Sequence, residues 1–521
     1  MIGGPDISGL TSPESRLRVG ELGAPLEDLP PFLRRAEHRL LIGGERPVGH
    51  ELRPTKDPAT GAELGIVCLA GPAEVDQAVR VARRAFTDVW SRLAPADRER
   101  LILRYADSVE AHTEELALIE TLDNGMPLAA ARGSVGRAVA HLRYNAGWAT
   151  KISGETIAPS KPGREFFAYT LRQPVGVVAA IVPWNSPLAG AMLKISAALG
   201  AGCTVIVKPA TETPLSALRL GELALDAGLP PGVVNVLPGE GAVVGQALAE
   251  HSGVAKVSFT GSTAVGQGII HASANRIGRL TLELGGKSPD VVFDDVDVEK
   301  IVPQAAWAVF RNSGQICVAG SRLYVQAGIY DEFLERLVKF TRSLKVGNGL
   351  AQHTDVGPLI TEHHTERVAN HIARGVEDGA RLLVGGERVK DEQRPSGQFI
   401  TPAVFAEASP SMQIAREEVF GPVVVISRFE TVEDAIERAN DTNYGLAAGI
   451  WTENVSVAHH VAACVDAGMI WVNCYGEYDP ALPFGGHKLS GYGAKSGHAA
   501  VLECTDLKTV VVKLAPPDAP L

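Results

Sequence analysis

The chain has 521 residues, 45% of them apolar and 21% charged, a balance that excludes disordered and fibrous classes and at this length implies two or three domains. Its formal charge of -11 is spread without a Lys/Arg run, which argues against a nucleic-acid or anionic-membrane partner and for small soluble substrates. Six cysteines, at 68, 203, 317, 464, 474 and 504, show no CxxC or CxxH spacing, so neither a metal site nor a disulfide framework is expected and a reducing cytoplasm suits the chain.

Met1 to His50 lacks an apolar segment after a basic start, so no secretory signal is expected. Residues 1 to 38 are rich in Pro, Gly and charge and read as an extra N-terminal arm. Arg39 to Glu45 reads as a short strand and turn. Pro72 to Trp90 and Pro95 to Leu122 carry apolar residues three and four apart (Val75, Ala78, Val79, Ala82), the mark of amphipathic helices, and a further helical segment runs through Trp148. Residues 153 to 172 turn strand-like at Phe166 to Arg172, as an edge hairpin or an arm that pairs with another subunit. Leu188 to Val207 is apolar for 20 residues, but Lys194 and Gly200-Ala201-Gly202 divide it into a buried helix and a buried strand.

From Val175 the texture changes. VGVVAAIV (175 to 182), TVIVKPA (204 to 210), VVNVLP (233 to 238) and KVSFTG (256 to 261) are continuous apolar runs separated by helical segments, as in a parallel sheet covered on both faces. Ligands of such sheets lie beyond the carboxyl ends of the strands. That singles out Pro183-Trp184-Asn185-Ser186-Pro187, Lys208-Pro209-Ala210-Thr211 and the Gly-rich turn from Gly261 to Gly266, whose free N-H groups can hold a pyrophosphate. Two further residues carry chemistry. Glu283, between Leu282 and Leu284 and before Gly285-Gly286, is a poorly solvated acid suited to act as a general base. Cys317 follows Arg311-Asn312-Ser313-Gly314-Gln315, expected to be a mobile polar approach in which a thiol is partly exposed and can ionise.

PWNSP, KPAT, FTGSTAVG, LELGGKSP, GQIC, EEVFGPV and PFGGHKLSG in this order resemble the NAD(P)-dependent aldehyde dehydrogenase superfamily over about residues 39 to 514. The resemblance implies an α/β fold: a Rossmann-type parallel-sheet cofactor domain (39 to 152 and 173 to 286), an α/β catalytic domain (287 to 486), and a small β oligomerisation extension (153 to 172 and 487 to 521). It implies Cys317 as nucleophile, Asn185 as oxyanion donor and Glu283 as the base that activates water. It also implies cofactor contacts from Ile181, Pro183, Trp184, Lys208, Thr211, Gly261, Ser262, Leu284, Glu418 and Phe420. NAD is the expected cofactor, with NADP as a second one, and the partner is a small-molecule aldehyde. A homodimer or homotetramer follows from the exposed valines of Lys508 to Lys513.

The sequence also departs from the family pattern. Thr211 stands where a Glu is common, with Glu212 one place later, which weakens the exclusion of NADP. Ser186, Gly190 and Leu193 occupy places that are often bulkier and, with Ile316, Val318, Glu477, Tyr478 and Phe484, define an open substrate pocket. A bulky aromatic or long-chain aldehyde is expected, with Glu477 at the mouth favouring a polar or cationic group. The tail AKSGHAAVLEC lacks an acid common there. Two alternatives stand beside oxidation to the acid: CoA as acyl acceptor, which would not need Glu283 as a hydrolytic base, and a non-catalytic binding protein on the same fold.

Overall fold

Strands of Val, Ile and Ala without polar alternation are stable only when both faces are covered, and the computed structural model, which describes residues 29–160, 165–389 and 396–514, covers them. Arg279–Glu283, Lys256–Thr260, Val177–Ile181, Thr204–Lys208 and Val234–Val236 lie side by side and parallel in one sheet. Every residue of Val177–Ile181 and Thr204–Lys208 is buried. A second, seven-stranded sheet is built from Pro289–Val292 onward and is parallel except for its edge strand Arg381–Val384.

The first amphipathic pattern forms the helix Pro72–Asp88. The second breaks at His112 into Pro95–Ala111 and Thr113–Asn124, because the His112 backbone leaves helical geometry. Leu128–Ala146 packs against Pro187–Ala201. That second helix is buried almost along its length and stopped by the left-handed Gly202, so its apolar run is core. No helix of the described residues is long and apolar enough to cross a membrane.

Two boundaries drawn from the sequence need correction. Residues 1–28 of the arm lie outside the described residues, but Leu29, Phe32 and Leu33 are buried in the same core as Trp90 and Tyr105, and Glu37–His38 pairs with Glu63–Leu69. The end of the arm is body, an assignment hidden by the prolines and arginines around three core residues. The stretch from 487 onward is also not one extension. Gly491–Tyr492 adds antiparallel to Leu282–Glu283 at the edge of the first sheet, and the helix Gly497–Leu502 packs on Pro187–Ala201. Gly491 has φ +107, and a Cβ there would collide with the Leu282 carbonyl, so the pairing depends on glycine. Only then does Thr505–Lys513 pair with Phe166–Pro174 through all nine residues, with Thr156–Ile157 on the other side.

Candidate active site

The helix Val298–Phe310 delivers the chain to the loop before Cys317. The loop is a locked turn, contrary to its expected mobility. Asn312 and Ser313 have φ of 50° and 59°, a left-handed geometry that persists in such residues only when the surroundings impose it. The surroundings are hydrogen bonds: Ser313 Oγ donates to the Gly357 carbonyl at 2.8 Å, and Gln315 Oε1 accepts from Ile360 N-H at 3.0 Å. Asn312 Nδ2 donates to the Asn185 carbonyl at 3.0 Å. Asn185 Nδ2 in turn donates to the Gln315 carbonyl at 2.8 Å. Asn185 thus stands against the thiol loop with its second amide N-H still available. Cys317 is half-buried. Burial pushes its thiol up, the Lys495 ammonium pulls it down, and the Glu418 and Glu283 carboxylates push it up again.

Glu283 ends its strand 1% exposed. Neither carboxylate oxygen makes a hydrogen bond, and Lys495 Nζ stands 3.3 Å from Oε2 as an ion pair. Burial raises the carboxyl above its ordinary value, and Lys495 and Lys194 oppose that rise. A buried carboxylate engaged only by one ammonium at 3.3 Å keeps lone pairs for a proton donor such as water. The following Gly285 is required by a close approach: a Cβ there would collide with the Glu418 carboxylate. Glu418 reaches this point to accept the Gly286 N-H at 3.0 Å through Oε1, and burial pushes it up to about 7.

On the opposite side, Ser262 caps the helix Thr263–Ser273, its Oγ accepting from Val265 N-H, and Ser262 and Val265 are exposed. Gly261 precedes this open N-terminus, a geometry that suits a pyrophosphate. Ile181 and Lys208 end adjacent strands, and Leu284 is fixed by its N-H to Ser490 O at 3.0 Å. The Lys208 ammonium is buried, donates to the Pro209 carbonyl at 2.8 Å and is pulled down to about 8 by burial, against the carboxylates of Glu212 and Glu240. Thr211 Oγ1 donates to the Gly239 carbonyl at 3.4 Å. Phe420, at φ 58°, meets Trp184 edge-on at 5.2 Å, and His364 Nε2 bonds the Phe420 carbonyl at 2.8 Å. A dinucleotide fits this donor set: an open helix N-terminus for phosphate, a buried ammonium and a buried carboxylate for ribose hydroxyls, and an aromatic wall beside Pro183.

Cys317 opens into a cavity of about 480 Å³. Asn185, Ser186, Gly190, Leu193, Ile316, Val318, Tyr478 and Phe484 line it, but Glu477 does not. Its side chain is exposed and its carbonyl accepts the Trp471 indole N-H at 2.8 Å. The sequence reading placed Glu477 wrongly because adjacency to Tyr478 does not fix direction in an irregular loop. It also missed Arg137, Trp307, Arg311 and Lys495 on the cavity wall. Arg137 and Trp307 lie on ordinary amphipathic helices, so no local signal marks them. Arg311 starts the thiol loop, and Lys495 lies in the tail AKSGHAAVLEC.

The aldehyde dehydrogenase family model matches residues 48–510. The chain is 44% identical to the phenylacetaldehyde dehydrogenase of Pseudomonas fluorescens, over 92% of this chain and 96% of that protein. It is 42% identical to human mitochondrial aldehyde dehydrogenase, over 90% of each. Among solved structures, the NAD+ complex of the Bacillus cereus aldehyde dehydrogenase superposes with a TM-score of 0.91 at 42% identity, covering 94% of this chain and 99% of that one.

Proposed function

The chain belongs to the aldehyde dehydrogenase family and oxidises aldehydes with NAD, and from that premise we propose that Cys317, Asn185 and Glu283 carry out the reaction on a bulky aldehyde. The Cys317 thiolate adds to the aldehyde carbon. The oxyanion so formed is stabilised by the free Asn185 amide N-H and the Cys317 backbone N-H. When bound, the dinucleotide supplies the hydride acceptor, leaving an acyl thioester on Cys317. Glu283, held at 3.3 Å by the Lys495 ammonium, takes a proton from the water that attacks the thioester, and the acid leaves as the Cys317 thiolate is released. Lys208, Thr211, Glu418 and Phe420 hold the ribose and nicotinamide ends, and Gly261 and Ser262 the pyrophosphate. The observation that carries this reading is Asn185 bonded at 2.8 Å to the residue two before Cys317, with the buried carboxylate of Glu283 held at 3.3 Å by Lys495, which lines the same cavity as Cys317.

Water is the acyl acceptor in this reading because Glu283 is a buried acid with no other role to fill once the acyl group is on Cys317. The test is product analysis: one acid per NADH without CoA is expected, and a CoA thioester formed in preference to the acid overturns the reading. For the substrate, Trp307, Tyr478 and Phe484 supply flat apolar walls around a volume that small aldehydes would leave unfilled. Arg137 and Arg311 at the wall, with Glu477 turned away, favour neutral or anionic far ends over cationic ones. The exposed Leu507, Val511 and Val512 of the edge strand support assembly into a dimer or tetramer.

A further inference from the structure

Lys495 lines the cavity into which Cys317 opens and reaches the carboxylate of Glu283. Its side chain is 15% exposed, and its Nζ lies 3.3 Å from Glu283 Oε2 and 3.8 Å from the centroid of the Phe484 ring. The Lys495 backbone N-H donates to the Phe484 carbonyl at 2.9 Å, so the stem and head of the side chain are both tied to the cavity wall. Two contacts that each favour a cation, a carboxylate and an aromatic face, fix the ammonium where the acyl group must turn over.

The other charged groups around Glu283 are already engaged. Lys194, from the helix Pro187–Ala201, donates to Ser258 Oγ at 2.9 Å and is pulled down to about 7 by burial. Glu503, beyond the helix Gly497–Leu502, is held by Lys256 at 2.8 Å. Cys317 and Lys495 line the same cavity; the carboxylates of Glu418 and Glu283 disfavour ionisation of the thiol, and the Lys495 ammonium favours it. A carboxylate base and a thiolate nucleophile in one site repel each other, and a cation bound to the carboxylate on the wall of the thiol's cavity relieves that conflict.

We propose that Lys495 is a positioning residue for both halves of the reaction: its ammonium, set between Glu283 and Phe484 on the wall of the Cys317 cavity, aims the base and supplies the positive charge that base and thiol share. This rests on the assignment of Cys317 and Glu283 above. Alkylation of Cys317 by iodoacetamide across pH reads the thiolate without requiring turnover. In Lys495→Met the alkylation curve moves to higher pH, and in its lower arm the rate falls about tenfold. The acid limb of steady-state turnover moves to higher pH as well, since an unpaired Glu283 holds its proton longer. Lys495→Arg restores both, and cofactor binding is unchanged in either variant. Lys495→Gln is read in the same way if the Met variant does not fold. An unmoved alkylation curve in a folded, NAD-binding variant without the charge overturns the proposal, whatever the loss of activity. A shifted curve in an enzyme that yields no acid from any aldehyde faults the reading of Glu283 instead.

Discussion

Replacing Asn185 by Ala removes two interactions of different kinds, and the structure separates their sizes. One is the 2.8 Å bond from Nδ2 to the Gln315 carbonyl. Asn312 Nδ2 also donates to that carbonyl, at 3.4 Å, so the acceptor is not orphaned and the loss of stability is about 1 kcal/mol. The other is the free amide N-H aimed at the oxyanion, whose removal costs about 3 kcal/mol of transition-state stabilisation, or roughly a hundredfold in rate. Asn185→Ala should therefore melt within a few degrees of the wild type while acylation slows by about two orders of magnitude. Stopped-flow NADH fluorescence with an aromatic aldehyde isolates acylation as the pre-steady-state phase. Asn312→Ala is the control: it loses the 3.0 Å bond to the Asn185 carbonyl but no oxyanion donor, so its stability should fall further than its acylation rate. An acylation rate within tenfold of wild type in folded Asn185→Ala would remove Asn185 from the oxyanion site.

Cys317→Ala should abolish oxidation with NAD affinity intact; turnover near wild type in this variant would exclude the thiol as nucleophile. Glu283→Gln should leave a burst of NADH followed by a slow steady state, and loss of the burst would place Glu283 earlier, in thiol activation. Ser186→Phe, at the mouth of the helix Pro187–Ala201, should shift kcat/KM toward small aldehydes, and an unchanged substrate order would show that residue 186 does not bound the pocket. Thr211→Glu should depress NADP use and Glu212→Gln raise it, because Glu212 already acts on the Lys208 ammonium; an NADP/NAD ratio unmoved in both would place neither beside the ribose. Burial pushes the Asp290 carboxyl from 3.8 up to about 7, so between those values the folded state holds the extra proton and stability falls as pH rises. Asp290→Asn, which keeps an acceptor for the 2.7 Å bond from Trp451 Nε1, should flatten that decline, as thermal melts from pH 4 to 8 will show.

The first sheet was legible because four runs of apolar residues leave no choice of face, and the turns after them are where the topology puts a ligand. Glu283 was legible as a desolvated acid from its leucine neighbours. What escaped depends on contacts between residues far apart in the chain. The thiol loop looks mobile in sequence because its residues are small and polar, yet those same groups bond to Gly357, Pro358 and Ile360. Phe32 and Leu33 look like tail because burial by Trp90 and Tyr105 is not written beside them. Lys495 carries no signal in the sequence, since an ion pair to a residue over two hundred positions away has no local periodicity.

The pairing of Gly491–Tyr492 with Leu282–Glu283 bears on how the molecule is made. A ribosome that has finished the five parallel strands of the first sheet has still to synthesise some two hundred residues before the strand bearing Glu283 acquires its outer neighbour. Through that interval, at roughly 5–20 residues per second, the strand carries an open edge. Nascent chains of this protein thus pass through a stage tens of seconds long in which the sheet is a template for mispairing, and chaperone demand should peak there. The same late closure ties the setting of Glu283 to the arrival of Gly491–Tyr492, so chains terminated before that point carry Cys317 beside an unfinished sheet edge.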